Sequence, residues 1–244
     1  KAIVEGSMGL LFQCFMWDDL AKSLEGEEKK EAQMMLDLMT TVAKTYPAEM
    51  GTLAVNQGLQ VLGGYGYTED FPLEQMARDV RIMSIYEGTT GIHGLTLLGR
   101  GIPANNGAAL QTLGKLVYAD IAVAKGHESI AKYAGVLEKE LENLTKVTMH
   151  KLGFAMKGEI DVFLADSTLY MELFGLITVA WQWLKQGHVA AAALAKGGLS
   201  KEDEAFYTDK IHTMKFFFHY EVPKALGLST RLMDEEVLTI FDNK

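Results

Sequence analysis

Glu87 stands between an aromatic residue and a glycine in the run Ile85-Tyr86-Glu87-Gly88-Thr89-Thr90-Gly91. A carboxylate flanked in this way can be poorly solvated, which raises its pKa toward working pH and suits it to act as a general base. Without its neighbours the same glutamate would be read as a solvated helix-end residue. Thr89 and Thr90 read as N-caps of a short apolar helix, whose free N–H groups favour anions, with simple capping as the plainer alternative. A second candidate lies upstream, at Gln60-Val61-Leu62-Gly63-Gly64 before Tyr65-Gly66-Tyr67. Glycine lets backbone N–H groups approach phosphate oxygens, and Gln60 supplies an amide donor and acceptor. Taken alone, a Gly-Gly pair at a helix end is usually a C-cap.

Other chemistries find little support. The histidines, at 93, 127, 150, 188, 212 and 219, form no Glu-x-x-His pair, and one cysteine cannot build a thiolate site, so no metal is expected. A phosphate-binding P-loop is absent. Arg78, Asp79 and Arg81 fit surface ion pairs near the Glu87 loop better than an anion site. Trp181, Trp183 and the Phe216 to Phe218 run fit core packing.

The two motifs occur in order, joined by Pro72, Glu74 and Arg78-Asp79, and together they resemble the C-terminal helical domain of acyl-CoA dehydrogenases over roughly residues 1 to 100. That resemblance implies that Glu87 is the base removing the proton alpha to an acyl-CoA thioester, with Tyr86 and Gly88 beside the substrate. It implies that the beta-hydrogen leaves as hydride to FAD, and that the flavin ribityl group and the N–H of the base polarise the thioester oxygen. It places Gln60, Val61, Leu62, Gly63 and Gly64 against the FAD pyrophosphate and adenosine of a neighbouring subunit, and Thr89, Thr90 and Gly91 against the flavin nucleotide. Glutamine replaces Gly91 in some members, so Gly91 carries over only a backbone contact. Electron-transfer flavoprotein or a similar acceptor, and a homodimer or homotetramer, are the implied partners. A non-catalytic helical assembly module and an acyl-CoA oxidase-like flavoenzyme are the competing readings.

The elements that must position these residues read as helices throughout, since Ala, Leu, Met, Glu and Lys abound and there are only four prolines. The expected fold is all-α, a dehydrogenase-like helical bundle followed by a second antiparallel bundle. One helix is expected from Ala2 to about Leu24. A long second helix should carry Ala32, Met35, Leu36, Met39, Val42 and Tyr46 inward and continue with Met50, Leu53, Ala54, Gln57 and Val61, kinked near Lys44 to Tyr46 by Pro47. After the glycine-rich turn, a helix opening at Pro72 should face Leu73, Met76, Ala77, Val80 and Met83 or Ser84 inward and stop near Tyr86. Pro103 and the asparagines before Gly107 suggest a boundary between units at 1–103 and 104–244. Beyond it, helices are expected over Ala108 to Ala124, Glu128 to Met156, Glu159 to Ala195 with a possible break at Gly187, and Lys201 to Leu226. The second unit resembles, more weakly, the extra helical domain of some larger bacterial acyl-CoA dehydrogenases.

The net charge of −9 and the scattered 23 basic residues argue against nucleic-acid binding. The run Leu173 to Leu184 is too short to span a bilayer. A lone Cys14 in apolar sequence fits a buried thiol in a reducing compartment, bacterial cytoplasm or, in a eukaryote, the mitochondrial matrix. The absence of an initiator methionine suggests a piece of a longer chain. The resemblance then implies that the N-terminal helical and middle beta domains lie elsewhere, so these 244 residues should neither turn over substrate nor retain much FAD alone.

Overall fold

The computed structural model describes residues 1–240, and among them only helices and turns occur. Two helices, α1 (Ala2–Ser23) and α2 (Gly26–Leu62), pack along one another. A 3-10 turn (Gly63–Tyr67), α3 (Leu73–Arg81) and α4 (Thr90–Thr96) follow. The remainder comprises α5 (Ala104–Lys125), α6 (Glu128–Met156), α7 (Ile160–Leu164), α8 (Ser167–Lys196), α9 (Lys201–Phe216) and α10 (Lys224–Leu232).

One buried cluster runs through the elements on both sides of residue 103. Its axis is α8, which touches α1, α2 and α4 as well as α5, α6, α9 and α10. The cause lies in composition: this helix is apolar on every face from Leu173 to Trp181, so no face can be left to water. Its indoles are buried yet paired, Trp181 donating to Asp120 at 2.6 Å and Trp183 to the Ala2 carbonyl at 2.9 Å. Removing these N–H groups from water without acceptors would forfeit part of what ring burial contributes. The stripes Leu113, Val117 and Ile121 of α5, and Ile130, Tyr133, Leu137, Leu141 and Leu144 of α6, are buried as their spacing predicts. Cys14 is buried as well, and burial pushes its thiol up to about 11.

Several boundaries differ from the sequence expectation. The segment expected as Glu159 to Ala195 breaks at Ala165 and Asp166, with buried Asp166 paired to Arg231 at 3.4 Å. Gly187 breaks nothing; a Cβ there would stand 2.3 Å from the Met214 sulfur, so it admits α9 to close contact. The last helix is interrupted by a π-helical turn (Phe217–Glu221), and a second π-helical turn (Leu97–Gly101) precedes α5. Each ends two residues before a proline, Pro103 or Pro223. A proline ring crowds the carbonyl four residues back and offers no N–H, and widening the preceding turn relieves both conflicts.

The second half of α2 and all of α3 leave the core. Pro47 lies within α2 without interrupting it. Burial on this helix ends at Met50: Leu53, Gln57 and Val61 are exposed. No residue of α3 is buried, and Met76, expected inward, faces solvent. These apolar stripes exist, but among the described residues nothing covers them.

Candidate active site

The end of α2 fixes the path that delivers the Glu87 loop. Val80 lies 3.3 Å from the position a Cβ would take on Gly51, and Leu73 lies 3.2 Å from that on Gly58. Two glycines on α2 therefore receive two aliphatic side chains of an antiparallel α3 at the same spacing. Side chains at Gly51 or Gly58 would lever α3 away. Past Arg81 a 3-10 turn (Ile82–Ser84) carries one buried residue, Ser84, and the chain then reaches Tyr86.

Glu87 and Gly88 both adopt left-handed backbone, with φ of 54° and 94°. For a glutamate this costs about 1–2 kcal/mol, so the surroundings must enforce it. They do so through main-chain carbonyls on either side of the Glu87-Gly88 step. His93 Nε2, on α4, sits 3.0 Å from the Glu87 carbonyl, to which it donates in the tautomer protonated there. Lys44 Nζ, from α2, donates to the Gly88 carbonyl at 2.5 Å and lies 5.9 Å from the centroid of the Tyr86 ring. A Cβ on Gly88 would fall 2.7 Å from His93 Nε2, so glycine alone fits beneath that imidazole.

The next two residues complete the attachment. Thr89 caps α4, its hydroxyl accepting from the Ile92 N–H at 3.4 Å. Thr90 is not a cap; its hydroxyl donates to the Glu49 carboxylate on α2. Beyond Thr90 lies a cavity of about 420 Å³ between α2 and α8, lined by Thr45, Glu49 and Glu172 among others. Burial raises the Glu172 carboxyl above the usual carboxylate range; Lys224 opposes the shift and Glu49 adds to it.

The Glu87 side chain itself is exposed, which corrects the expectation of poor solvation within this chain. Tyr86 does not cover it, because that ring is also exposed and its hydroxyl lies 3.2 Å from the Met83 sulfur. The loop is held against the buried half of α2 through Lys44 and Glu49, yet the Glu87 side chain itself stays open to solvent.

The upstream motif behaves as a helix terminus. Gly63 closes α2 with a φ of 59°, and Gly66 folds under the Leu59 carbonyl, where a Cβ would stand 2.3 Å from the oxygen. Gln60, Val61, Gly63 and Gly64 are exposed, Leu62 is half-buried, and nothing lies within 4 Å of a Cβ on Gly63 or Gly64. The nine residues of α3, a helical length of roughly 13 Å, run between this turn and the Glu87 loop. Arg78 pairs with Glu74 at 3.1 Å on the surface of α3.

Sequence reasoning missed Lys44, His93 and Glu49. His93 carried a usable signal, as a polar residue four positions after the Thr89 cap in an otherwise apolar helix. Lys44 and Glu49 carried none, because their contacts cross more than forty residues. Among the described residues no three His, Cys, Asp or Glu side chains converge as a metal site, and no helix is long and apolar enough to cross a membrane.

Comparison with known proteins now bears on this geometry. Residues 18–102 match the family model "Acyl-CoA dehydrogenase, C-terminal domain", and residues 111–240 match "Acetyl-CoA dehydrogenase C-terminal like". The broad-specificity linear acyl-CoA dehydrogenase FadE5 of Mycobacterium tuberculosis is 29% identical over an alignment covering 100% of this chain and 40% of that protein. The 3-methylmercaptopropionyl-CoA dehydrogenase of Ruegeria pomeroyi is 28% identical, over 96% of this chain and 39% of its own length. The fold is similar to that of Caenorhabditis elegans ACDH-11 solved in complex with C11-CoA, with a TM-score of 0.60 at 23% identity, over 97% of this chain and 35% of that one. The chain thus spans about two fifths of the length of these curated relatives. With family models matched in order across both halves, the chain belongs to the acyl-CoA dehydrogenase family and corresponds to the C-terminal part of its members.

Proposed function

We propose that this chain is the C-terminal portion of an FAD-dependent acyl-CoA dehydrogenase in which Glu87 removes the alpha-proton of an acyl-CoA thioester. The observation that carries this reading is the clamp on the Glu87-Gly88 step, where Lys44 and His93 hold both carbonyls and impose a left-handed glutamate. A passive loop has no reason to bear that backbone cost, whereas a base must be held in one direction. The Glu87 carboxylate takes the proton from the alpha-carbon, and the freed electron pair forms the double bond as the beta C–H is broken. Bound FAD would accept the beta-hydrogen as hydride. The Glu87 N–H would polarise the thioester oxygen, and Gly88 leaves room for the thioester to approach.

The residues assigned to FAD fit it in part. The exposed turn from Gln60 to Gly64 leaves bare backbone for a pyrophosphate. The hydroxyls of Thr89 and Thr90 are engaged within the chain, so the backbone N–H groups of Thr90 and Gly91 remain for the nucleotide. Exposed Ile82, Met83, Ile85 and Tyr86 supply apolar surface beside the loop for the acyl chain and for the rest of the enzyme, which would also desolvate Glu87. In this reading residues 1–103 carry the chemistry and 104–244 form a packing and assembly unit. The complete protein is a homodimer or homotetramer of the bacterial cytoplasm or the mitochondrial matrix, passing electrons to electron-transfer flavoprotein or a similar acceptor. The 244 residues alone are inactive.

Anaerobic mixing of the full-length protein with acyl-CoA thioesters tests the proposal. The parent should bleach its flavin, and Glu87→Gln should retain FAD but bleach about a thousandfold or more slowly, as expected when a positioned base is neutralised. Near-normal bleaching by the variant removes Glu87 from the role. No bleaching by the parent favours a non-catalytic module, and rapid peroxide formation in air favours an oxidase.

A further inference from the structure

The Glu87 loop runs directly into α4, and close packing fixes that short helix near its middle. A Cβ on Gly94 would stand 2.8 Å from the Ser167 carbonyl, so α4 is seated against the start of α8. Its first residue, Thr90, is only half-buried and stands with Glu49 at the wall of the 420 Å³ cavity between α2 and α8. There a hydrogen bond takes the place of close packing, the Thr90 hydroxyl donating to the Glu49 carboxylate. Where α4 begins matters to Glu87 twice over. The loop is continuous with it, and α4 carries His93, which lies 3.0 Å from the Glu87 carbonyl.

Stability alone does not account for a carboxylate at position 49. Among the described residues no lysine or arginine pairs with Glu49. It also stands close enough to Glu172 to raise the proton affinity of that carboxyl. Holding a half-buried charge beside a second acidic group costs stability. The charge gives a firmer grip in return, since an ionised acceptor binds a hydroxyl about twice as strongly as a neutral one. A second attachment lies on the same helix. Lys44 donates to the Gly88 carbonyl from a position roughly 7.5 Å earlier along α2. One attachment would let the loop turn about it; two on one rigid helix, on either side of Thr89, fix its direction.

We propose that Glu49 is a positioning residue for the alpha-proton transfer: acting through the Thr90 hydroxyl, it fixes the exit of the loop and with it the aim of the Glu87 carboxylate. The assignment rests on Glu87 being the base. Thr90 transmits the hold because its hydroxyl reaches back to α2, whereas that of Thr89 caps its own helix.

Anaerobic flavin bleaching by the full-length enzyme tests this, using whichever of butyryl-CoA, octanoyl-CoA and palmitoyl-CoA bleaches the parent fastest. Thr90→Val keeps the side-chain shape and removes the donor. This variant and Glu49→Ala should each retain FAD and lower the limiting rate about ten- to a hundredfold, with half-saturation within about twofold of the parent. The double variant should be no slower than the slower single one, because both substitutions remove one interaction. Thr90→Ser restores the donor and should recover most of the rate, and Glu49→Gln, a neutral acceptor, should fall between. Should Glu49→Ala fail to fold, the two Thr90 variants decide. Amide exchange over residues 86–91 should quicken in Thr90→Val while that of α8 stays as in the parent, a readout that needs no turnover. Unchanged limiting rates in the single variants, additive losses in the double one, or exchange that quickens in α8 as well would overturn the assignment. A parent that no acyl-CoA bleaches, or a Glu87→Gln enzyme that bleaches normally, removes the base and this role with it. An inactive Glu87→Gln beside normal Thr90→Val and Glu49→Ala overturns the positioning alone.

Discussion

The ammonium of Lys44, from the middle of α2, donates to the Gly88 carbonyl at 2.5 Å and ties the loop bearing Glu87 to the longest helix of the molecule. A hydrogen bond from a charged donor is worth about 1.5–3 kcal/mol. Lys44→Met keeps the methylene stem but removes the donor. The expected result is a melting temperature lower by a few degrees, with the full-length enzyme losing flavin bleaching rate while FAD affinity is kept. Lys44→Arg should recover part of the rate. A Lys44→Met enzyme that bleaches like the parent would show that the tether does not aim the carboxylate.

Ile177 is 3% exposed at the centre of α8, against elements from both halves of the chain. An unpaired carboxylate there finds no hydrogen-bond donors to solvate it, and burying a polar group without partners costs roughly 2–7 kcal/mol. Ile177→Asp should therefore melt far below the parent or lose its cooperative transition. The control Ile177→Val should cost only about 0.5–1.5 kcal/mol. Matching melts for the aspartate variant and the parent would mean that α8 is not the axis of the core.

Glu172 offers a pH dependence of known sign. Folding raises the pKa of its carboxyl, mainly through burial, so the folded state favours the protonated form. The stabilisation is complete below the ordinary glutamate value, near pH 4.3, and is lost as pH climbs through the raised folded value. Glu172→Gln mimics the protonated form at every pH. It should melt about one to three degrees above the parent at pH 7, and the gap should close toward pH 4. A gap independent of pH would point to packing rather than ionisation.

The long helices were legible because their apolar periods are unambiguous, as for Leu113, Val117 and Ile121, or Ile130 through Leu144. Where legibility failed, one signal had two physical meanings. Leu53, Val61 and Met76 lie on apolar stripes yet are exposed, because an apolar period marks a face suited to burial without naming an element to pack on it. Gly187 looked like a helix break because glycine serves both chain reversal and close helix approach, and only Met214 above it decides between them. At the site, the Glu87 and Gly63-Gly64 motifs could be found by their order along the chain. Their supports could not, because Lys44 and Glu49 act across a separation that no local pattern encodes.

The left-handed backbone at Glu87 sets stability against activity at a single position. Asparagine and glycine occupy φ near 54° with less strain than glutamate, so the local chain is frustrated by the residue it carries. Glu87→Asn or Glu87→Gly should then raise the melting temperature, by about 1 kcal/mol of stability, while eliminating flavin bleaching in the full-length enzyme. Thermal melts of these variants beside the parent decide it: a lower melting temperature in both would mean that the glutamate side chain stabilises the loop and that no such trade-off exists.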